Sequence, residues 1–135
     1  MNDIRVDVAV IGAGPAGVAA AIGAREAGAR DVLVLERDWD LGGILQQCIH
    51  PGFGLHTFKE ELTGPEFMHR WIGRAHDAGV RFMTNSMVFG MRSDGSLDVM
   101  TPGRGVFRVI PGATVLALGC RERPIGAINI PGSRP

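Results

Sequence analysis

The sequence predicts an α/β fold: a central parallel sheet joined to a small β-meander. Three observations predict it. A short β-branched run, Val6 to Ile11, leads at once into a glycine-rich turn and then an alanine-rich segment. A second apolar run, Asp31 to Glu36, follows at a distance too long for a hairpin and right for a parallel crossover. Beyond residue 86 the pattern changes to short strands separated by turns, without a further helix.

Each element has a local reason. Val6-Asp7-Val8-Ala9-Val10-Ile11 has the β-branched content of a buried strand. Val18 to Ala27 is rich in alanine and reads as a helix, with Gly28 where a C-terminal cap belongs. Asp31 to Glu36 is the second strand, so residues 5–36 form one βαβ unit. Arg37 to Leu62 carries Gly42, Gly43, Pro51, Gly52 and Gly54 and is expected to be a long loop with one short helix. Thr63-Gly64-Pro65-Glu66 is a capping box with proline in the first turn. Phe67, Met68, Trp71, Ile72 and Ala75 then recur at helical spacing up to Gly79, as the core face of a helix. Val80 to Thr84 is a third strand. Met87 to Met91, Leu97 to Thr101 and Gly105 to Ile110 form the meander, with turns at residues 93–96 and 102–105. Thr114 to Leu118 is one more buried strand, and Arg121 to Pro135 is a turn-rich tail.

Composition narrows the function. The 135 residues are 45% hydrophobic and 21% charged, the balance of a globular domain with a real core. The formal net charge is zero and the arginines are scattered, which argues against a nucleic-acid or anionic-membrane footprint. No run approaches the ~18 apolar residues of a membrane span, and residues 1–5 lack the features of a signal peptide. A cytoplasmic location is therefore expected. Cys48 and Cys120 do not make a disulfide framework. His56, His69 and His76 have no ligand-like neighbours in sequence, so no metal site is expected.

The chemistry concentrates in Gly12-Ala13-Gly14-Pro15-Ala16-Gly17. G-x-G-x-x-G alone is a weak signal, but here it follows a strand and opens a helix inside a βαβ unit. Gly12 allows the tight turn, Gly14 lets a pyrophosphate approach the backbone, and Gly17 lets helix and strands pack closely. The helix N-terminus offers free N–H groups and partial positive charge to phosphates, and Pro15 falls where a missing N–H costs little. Glu36 ends the second strand, where a carboxylate accepts hydrogen bonds from a ribose and repels a 2′-phosphate. These features suit FAD or NAD. The Gly42-Gly43 pair soon after Glu36 favours FAD, whose ribityl and ring extend beyond the pyrophosphate and benefit from a second side-chain-free approach.

The order Val10-Ile11-Gly12-Ala13-Gly14-Pro15-Ala16-Gly17, Leu35-Glu36-Arg37, Leu41-Gly42-Gly43, Ala117-Leu118-Gly119-Cys120-Arg121-Glu122-Arg123-Pro124 and Ile130-Pro131-Gly132 resembles the pyridine nucleotide–disulfide oxidoreductase superfamily. Leu118 stands where threonine is usual in that family. The stretch from Gly42 to Gly54 is similar to the FAD/NAD(P)-binding oxidoreductases that accompany glycerol-3-phosphate dehydrogenases and to related amine or opine oxidases. The resemblance implies a Rossmann-like FAD/NAD(P)-binding domain of a flavin-dependent oxidoreductase. Such an enzyme passes hydride between NAD(P)H and a second, small-molecule substrate. Residues 1–135 would be the N-terminal lobe of its FAD-binding domain. The NAD(P)H domain and the C-terminal return to the FAD domain would come from further domains or a partner subunit.

The residues expected around FAD are Ile11, Gly12, Gly14, Pro15, Ala16, Gly17, Glu36, Arg37, Gly42, Gly43, Val88, Ala117 and Gly119. The closely spaced cysteine pair of the disulfide reductases is absent from this sequence, and Cys48 stands without it. Cys48 and His50 are the candidates for a nucleophile or proton carrier, and their plainer reading is a loop thiol and a hydrogen-bonding imidazole. Two alternatives are an NAD-binding module of a dehydrogenase and a non-catalytic nucleotide-binding subunit.

Overall fold

A computed structural model of the chain describes residues 3–120. Met1, Asn2 and the segment from Arg121 to Pro135, which includes Arg123-Pro124 and Pro131-Gly132, lie outside the described residues. The elements are β1 (Ile4–Ile11), α1 (Pro15–Glu26), β2 (Val32–Leu35), a 3₁₀ turn (Gly43–Gln47), α2 (Leu55–Phe58), α3 (Gly64–Asp77), β3 (Arg81–Met83), β4 (Met87–Met91), β5 (Leu97–Thr101) and β6 (Gly105–Leu116).

One six-stranded sheet runs in the order β3-β2-β1-β6-β5-β4. β3, β2, β1 and the second half of β6 are parallel, as the crossover lengths predict. β4, β5 and the first half of β6 form the antiparallel meander. The expected strands at 105–110 and 114–118 are therefore a single element. Pro111-Gly112 reads in sequence as a break, but it falls just after β6 changes partners at Val109, within the stretch that pairs with β1. Residues 105–109 pair with β5 and residues 109–116 with β1. A Cβ at Gly112 would sit 3.0 Å from the Asp7 carbonyl oxygen, so glycine lets the two strands stay together there.

Two apolar clusters flank the sheet. Val10, Val32 and Val34 face α1 and α3, where Val18, Ala21, Met68 and Ala75 are fully buried. Ala9, Ile11, Leu33 and Leu35 face the other way and pack with Leu97, Val99, Phe107 and Val109 of the meander. The layers are thus helices, parallel sheet and meander, held by strict alternation along β2. β1 departs from alternation. Ile4 and Val6 share a face with Ala9 and Ile11. At this point the N–H groups of Asp7 and Val8 both donate to the Asp31 carbonyl, at 2.9 and 3.1 Å, while the register of β1 against β6 keeps one offset throughout.

The capping box of α3 forms as its sequence predicts. Thr63 N–H donates to Glu66 Oε2 at 2.8 Å, and Glu66 N–H donates to Thr63 Oγ1. Phe67, Trp71 and Ile72 pack, half-buried, against the helix-side core. No helix among the described residues is long and apolar enough to cross a membrane.

Candidate functional site

The carboxyl ends of β1, β2 and β6 meet at the glycine turn. Gly12 follows β1 with φ +104°, a value that only glycine adopts readily. A Cβ there would lie 2.3 Å from the Ala117 carbonyl oxygen. A Cβ at Gly17 would lie 1.9 Å from the Gly12 carbonyl oxygen. Ala117 N–H donates to the Ile11 carbonyl at 2.9 Å, which clamps the end of β6 beside the turn. Gly14 differs from both neighbours: a Cβ there would meet nothing within 4 Å. The turn is closed at its first and third glycines and open at its second, as a backbone cradle for a phosphate requires.

α1 begins at Pro15 with Gly14 as its N-cap, and no side chain caps it. Its first turn holds no acidic residue. The Ala16 and Gly17 N–H groups lie among those that have no partner inside a helix, next to the positive end of the dipole. That donor set suits a pyrophosphate.

Glu36 is buried, with 6% of its surface exposed. Its Oε2 accepts from Ala13 N–H at 2.8 Å and its Oε1 from Asp38 N–H at 2.9 Å. A carboxylate has room for about four donors, so one acceptor direction on each oxygen is left for ribose hydroxyls. The glycine pair closes the third side. Gly42 N–H donates to the Ala13 carbonyl at 2.9 Å, and a Cβ at Gly43 would lie 3.0 Å from Gly14 Cα. Gln46 holds this second turn by donating its side-chain amide to the Leu41 carbonyl at 2.5 Å.

The Ala13 peptide is therefore the hub of the site. Its N–H donates to the Glu36 carboxylate and its carbonyl accepts from the second glycine turn. Sequence reasoning did not single out Ala13, Asp38 or Gln46. Ala13 acts through its backbone, and its one signal is a small residue between two motif glycines.

The remaining candidates are placed as follows. Pro15, Ala16 and Arg37 are exposed beside the turn, and Gly119 is exposed beyond the end of β6. Val88 lies on β4 and packs against the cluster that contains Ile11 and Leu35. Cys48 is half-buried, its thiol directed to the Ile44 carbonyl at 3.6 Å. His50 is exposed, with Nδ1 3.0 Å from the Pro51 carbonyl and its ring on Phe53. These contacts do not pair the thiol with the imidazole. Trp71 packs edge-on against Phe58 and Phe67, as part of the helix core. Among the described residues no group of three or more His, Cys, Asp or Glu could hold a metal ion. Two open concavities flank α3, and neither is lined by Gly14, Glu36 or Gly43. The candidate site is instead the groove outside the strand ends, where open α/β sheets take their ligands.

Comparison with known proteins agrees with this geometry. The family model described as FAD dependent oxidoreductase matches residues 7–81, more than half of the chain. Digeranylgeranylglycerophospholipid reductase 2 of Methanopyrus kandleri is 38% identical over 92 residues, which are 68% of this chain and 22% of that protein. Reductase 1 of the same organism is 36% identical over 92 residues. Among solved structures, the L-proline dehydrogenase of P. horikoshii superposes with a TM-score of 0.75 at 22% identity, covering 92% of this chain and 25% of that one. The thioredoxin reductase of Streptococcus pyogenes superposes with a TM-score of 0.72 at 21% identity, covering 93% and 39%. These two show a shared fold. The chain spans about a quarter or less of the curated relatives it matches. With its glycine turn, acidic strand end and matching family model, the chain belongs to the FAD dependent oxidoreductase family.

Proposed function

We propose that residues 1–135 are the FAD-binding N-terminal lobe of a flavin-dependent oxidoreductase, one that passes hydride between NAD(P)H and a second, small-molecule substrate. The Ala13 hub carries this reading, because it ties the ribose carboxylate, the open Gly14 cradle and the Gly42-Gly43 turn into one preformed surface. The second glycine turn favours FAD over NAD in this reading, since the ribityl chain and the three-ring isoalloxazine reach further past the pyrophosphate than a nicotinamide riboside.

In this reading the N–H groups at the start of α1 neutralise the pyrophosphate charge, and Glu36 selects an unphosphorylated ribose. Gly42 and Gly43 let the chain beyond the pyrophosphate lie against backbone. The bound flavin supplies the two-electron chemistry, and the protein supplies position and polarity. Further domains or a partner subunit would bring the nicotinamide cofactor and the substrate.

The test is an absorbance spectrum of the purified chain after gel filtration with FAD, followed by titrations with FAD and NAD. A flavin spectrum that co-elutes with the protein is expected. Binding of NAD in preference to FAD would overturn the cofactor assignment.

A further inference from the structure

Trp39 has no place in the site as drawn, yet it is 80% exposed, more than any other large apolar side chain described. Its loop is not loose. On one side, Asp38 N–H is held by Glu36 Oε1 at 2.9 Å, and the Asp38 carbonyl accepts from Asn85 N–H at 3.0 Å. On the other, Gly42 N–H is held by the Ala13 carbonyl at 2.9 Å and the Leu41 carbonyl by Gln46. Residues 38–42 thus form a short loop tied down at both ends, with the exposed Trp39 directly after the tied Asp38. Asp38 N–H touches the very carboxylate offered to the ribose, and consecutive Cα atoms lie about 3.8 Å apart. A nucleotide whose ribose rests on Glu36 carries its base directly off that ribose, within reach of an indole attached one residue beyond Asp38.

We propose that Trp39 is the purine platform of the site: its indole stacks on the adenine of the bound dinucleotide, a role outside the glycine and carboxylate contacts. This rests on the dinucleotide reading above but not on the choice of FAD over NAD. Three physical points carry it. A large aromatic surface is left in water on a backbone that is pinned in advance, so stacking would cost little further ordering. The flanking residues Asp38 and Asp40 are acidic and would deter a second phosphate while leaving a neutral base unaffected. Base–aromatic stacking tolerates any π-face, so the strand-end carboxylate would read the sugar and the indole would hold the base.

The experiment compares the full chain with Trp39→Ala and Trp39→Phe by calorimetric titration with ADP and with FAD. Stacking of one base corresponds to roughly 5- to 150-fold in affinity. Trp39→Ala is expected to weaken both ligands by the same factor within that range, and Trp39→Phe to restore most of it. The chain has two tryptophans, so Trp71→Phe leaves Trp39 as the sole indole. Its emission is expected to be quenched by ADP, which has no flavin to absorb the energy. Equal ADP and FAD affinity in Trp39→Ala and the parent would overturn the platform and leave the FAD reading standing. ADP binding that depends on Trp39, in a chain that refuses FAD, would overturn the FAD reading and support the platform. A parent chain that binds neither ligand would overturn both.

Discussion

A methyl group at Gly17 would meet the Gly12 carbonyl oxygen at 1.9 Å, whereas one at Gly14 would meet nothing within 4 Å. The two glycines should therefore separate stability from binding. Gly14 has φ −72°, which any residue adopts, so Gly14→Val is expected to leave the melting temperature of the ligand-free chain within about 2 °C, the scale of a surface change. It should abolish FAD binding, because its side chain fills the phosphate cradle. Gly17→Ala is expected to destabilise the chain by about 1–3 kcal/mol through forced separation of α1 from the turn. Thermal scans with and without FAD distinguish the two. Glu36 falls between them. Glu36→Ala removes a ribose acceptor and also strands the Ala13 and Asp38 N–H groups that it satisfies. Loss of both FAD affinity and about 1–3 kcal/mol of ligand-free stability is expected, measurable by urea unfolding. At this scale the motif glycines and Glu36 are legible in sequence, because each is a side-chain requirement. The Ala13 hub is not, because its hydrogen bonds belong to the backbone and any residue type carries them.

At the scale of elements, the helices were legible and the strand ends less so. α3 announces itself by Thr63-x-x-Glu66 and by the spacing of Met68, Trp71 and Ala75, all local signals. β6 does not, since Pro111-Gly112 breaks the local pattern and only the exchange of partners from β5 to β1 keeps the strand continuous. The departure of β1 from alternation at Asp7 is equally invisible, since the Asp31 carbonyl that both Asp7 and Val8 N–H groups share lies across the sheet. The α3 cap also makes a pH prediction. Thr63 holds the Glu66 carboxyl below its usual range, first through its backbone N–H and then through its hydroxyl. A carboxyl depressed by folding contributes stability above its unfolded pKa, and that contribution is lost as pH falls through the folded one. Glu66→Gln keeps the acceptor but has no proton to gain. It is expected to flatten the fall in urea midpoint between pH 6 and pH 3 without abolishing it. Asp7, Glu60 and Asp94, whose carboxyls are also held low, retain their share. An unchanged slope would show that the capping box does not persist in solution.

For the whole molecule, the decisive feature is that β6 belongs to both the meander and the parallel sheet. Its first half carries Phe107 into the cluster with Ala9, Ile11, Leu33 and Leu35. Its second half delivers Ala117 to the glycine turn. The alternation that makes two apolar faces of one sheet is readable in Val32-Leu33-Val34-Leu35. The use of the second face as a seat for the meander is not, because that pairing joins segments far apart in the chain. The arrangement links the meander core to the nucleotide groove through one continuous strand. Phe107 is 2% exposed, and Phe107→Ala is expected to cost about 3–5 kcal/mol, a large part of the stability of a domain this size. Met100 sits on the neighbouring strand but is 47% exposed, so Met100→Ala should stay within about 0.5 kcal/mol. Hydrogen exchange followed by mass spectrometry checks how the loss spreads. If β6 transmits it, Phe107→Ala accelerates exchange in residues 113–117 and in the glycine turn as well as in β5, and FAD affinity falls although no FAD contact has been touched. If faster exchange stays within residues 87–109 and FAD binds as before, the meander is a separate cooperative unit and the groove stands on the parallel sheet and α1 alone.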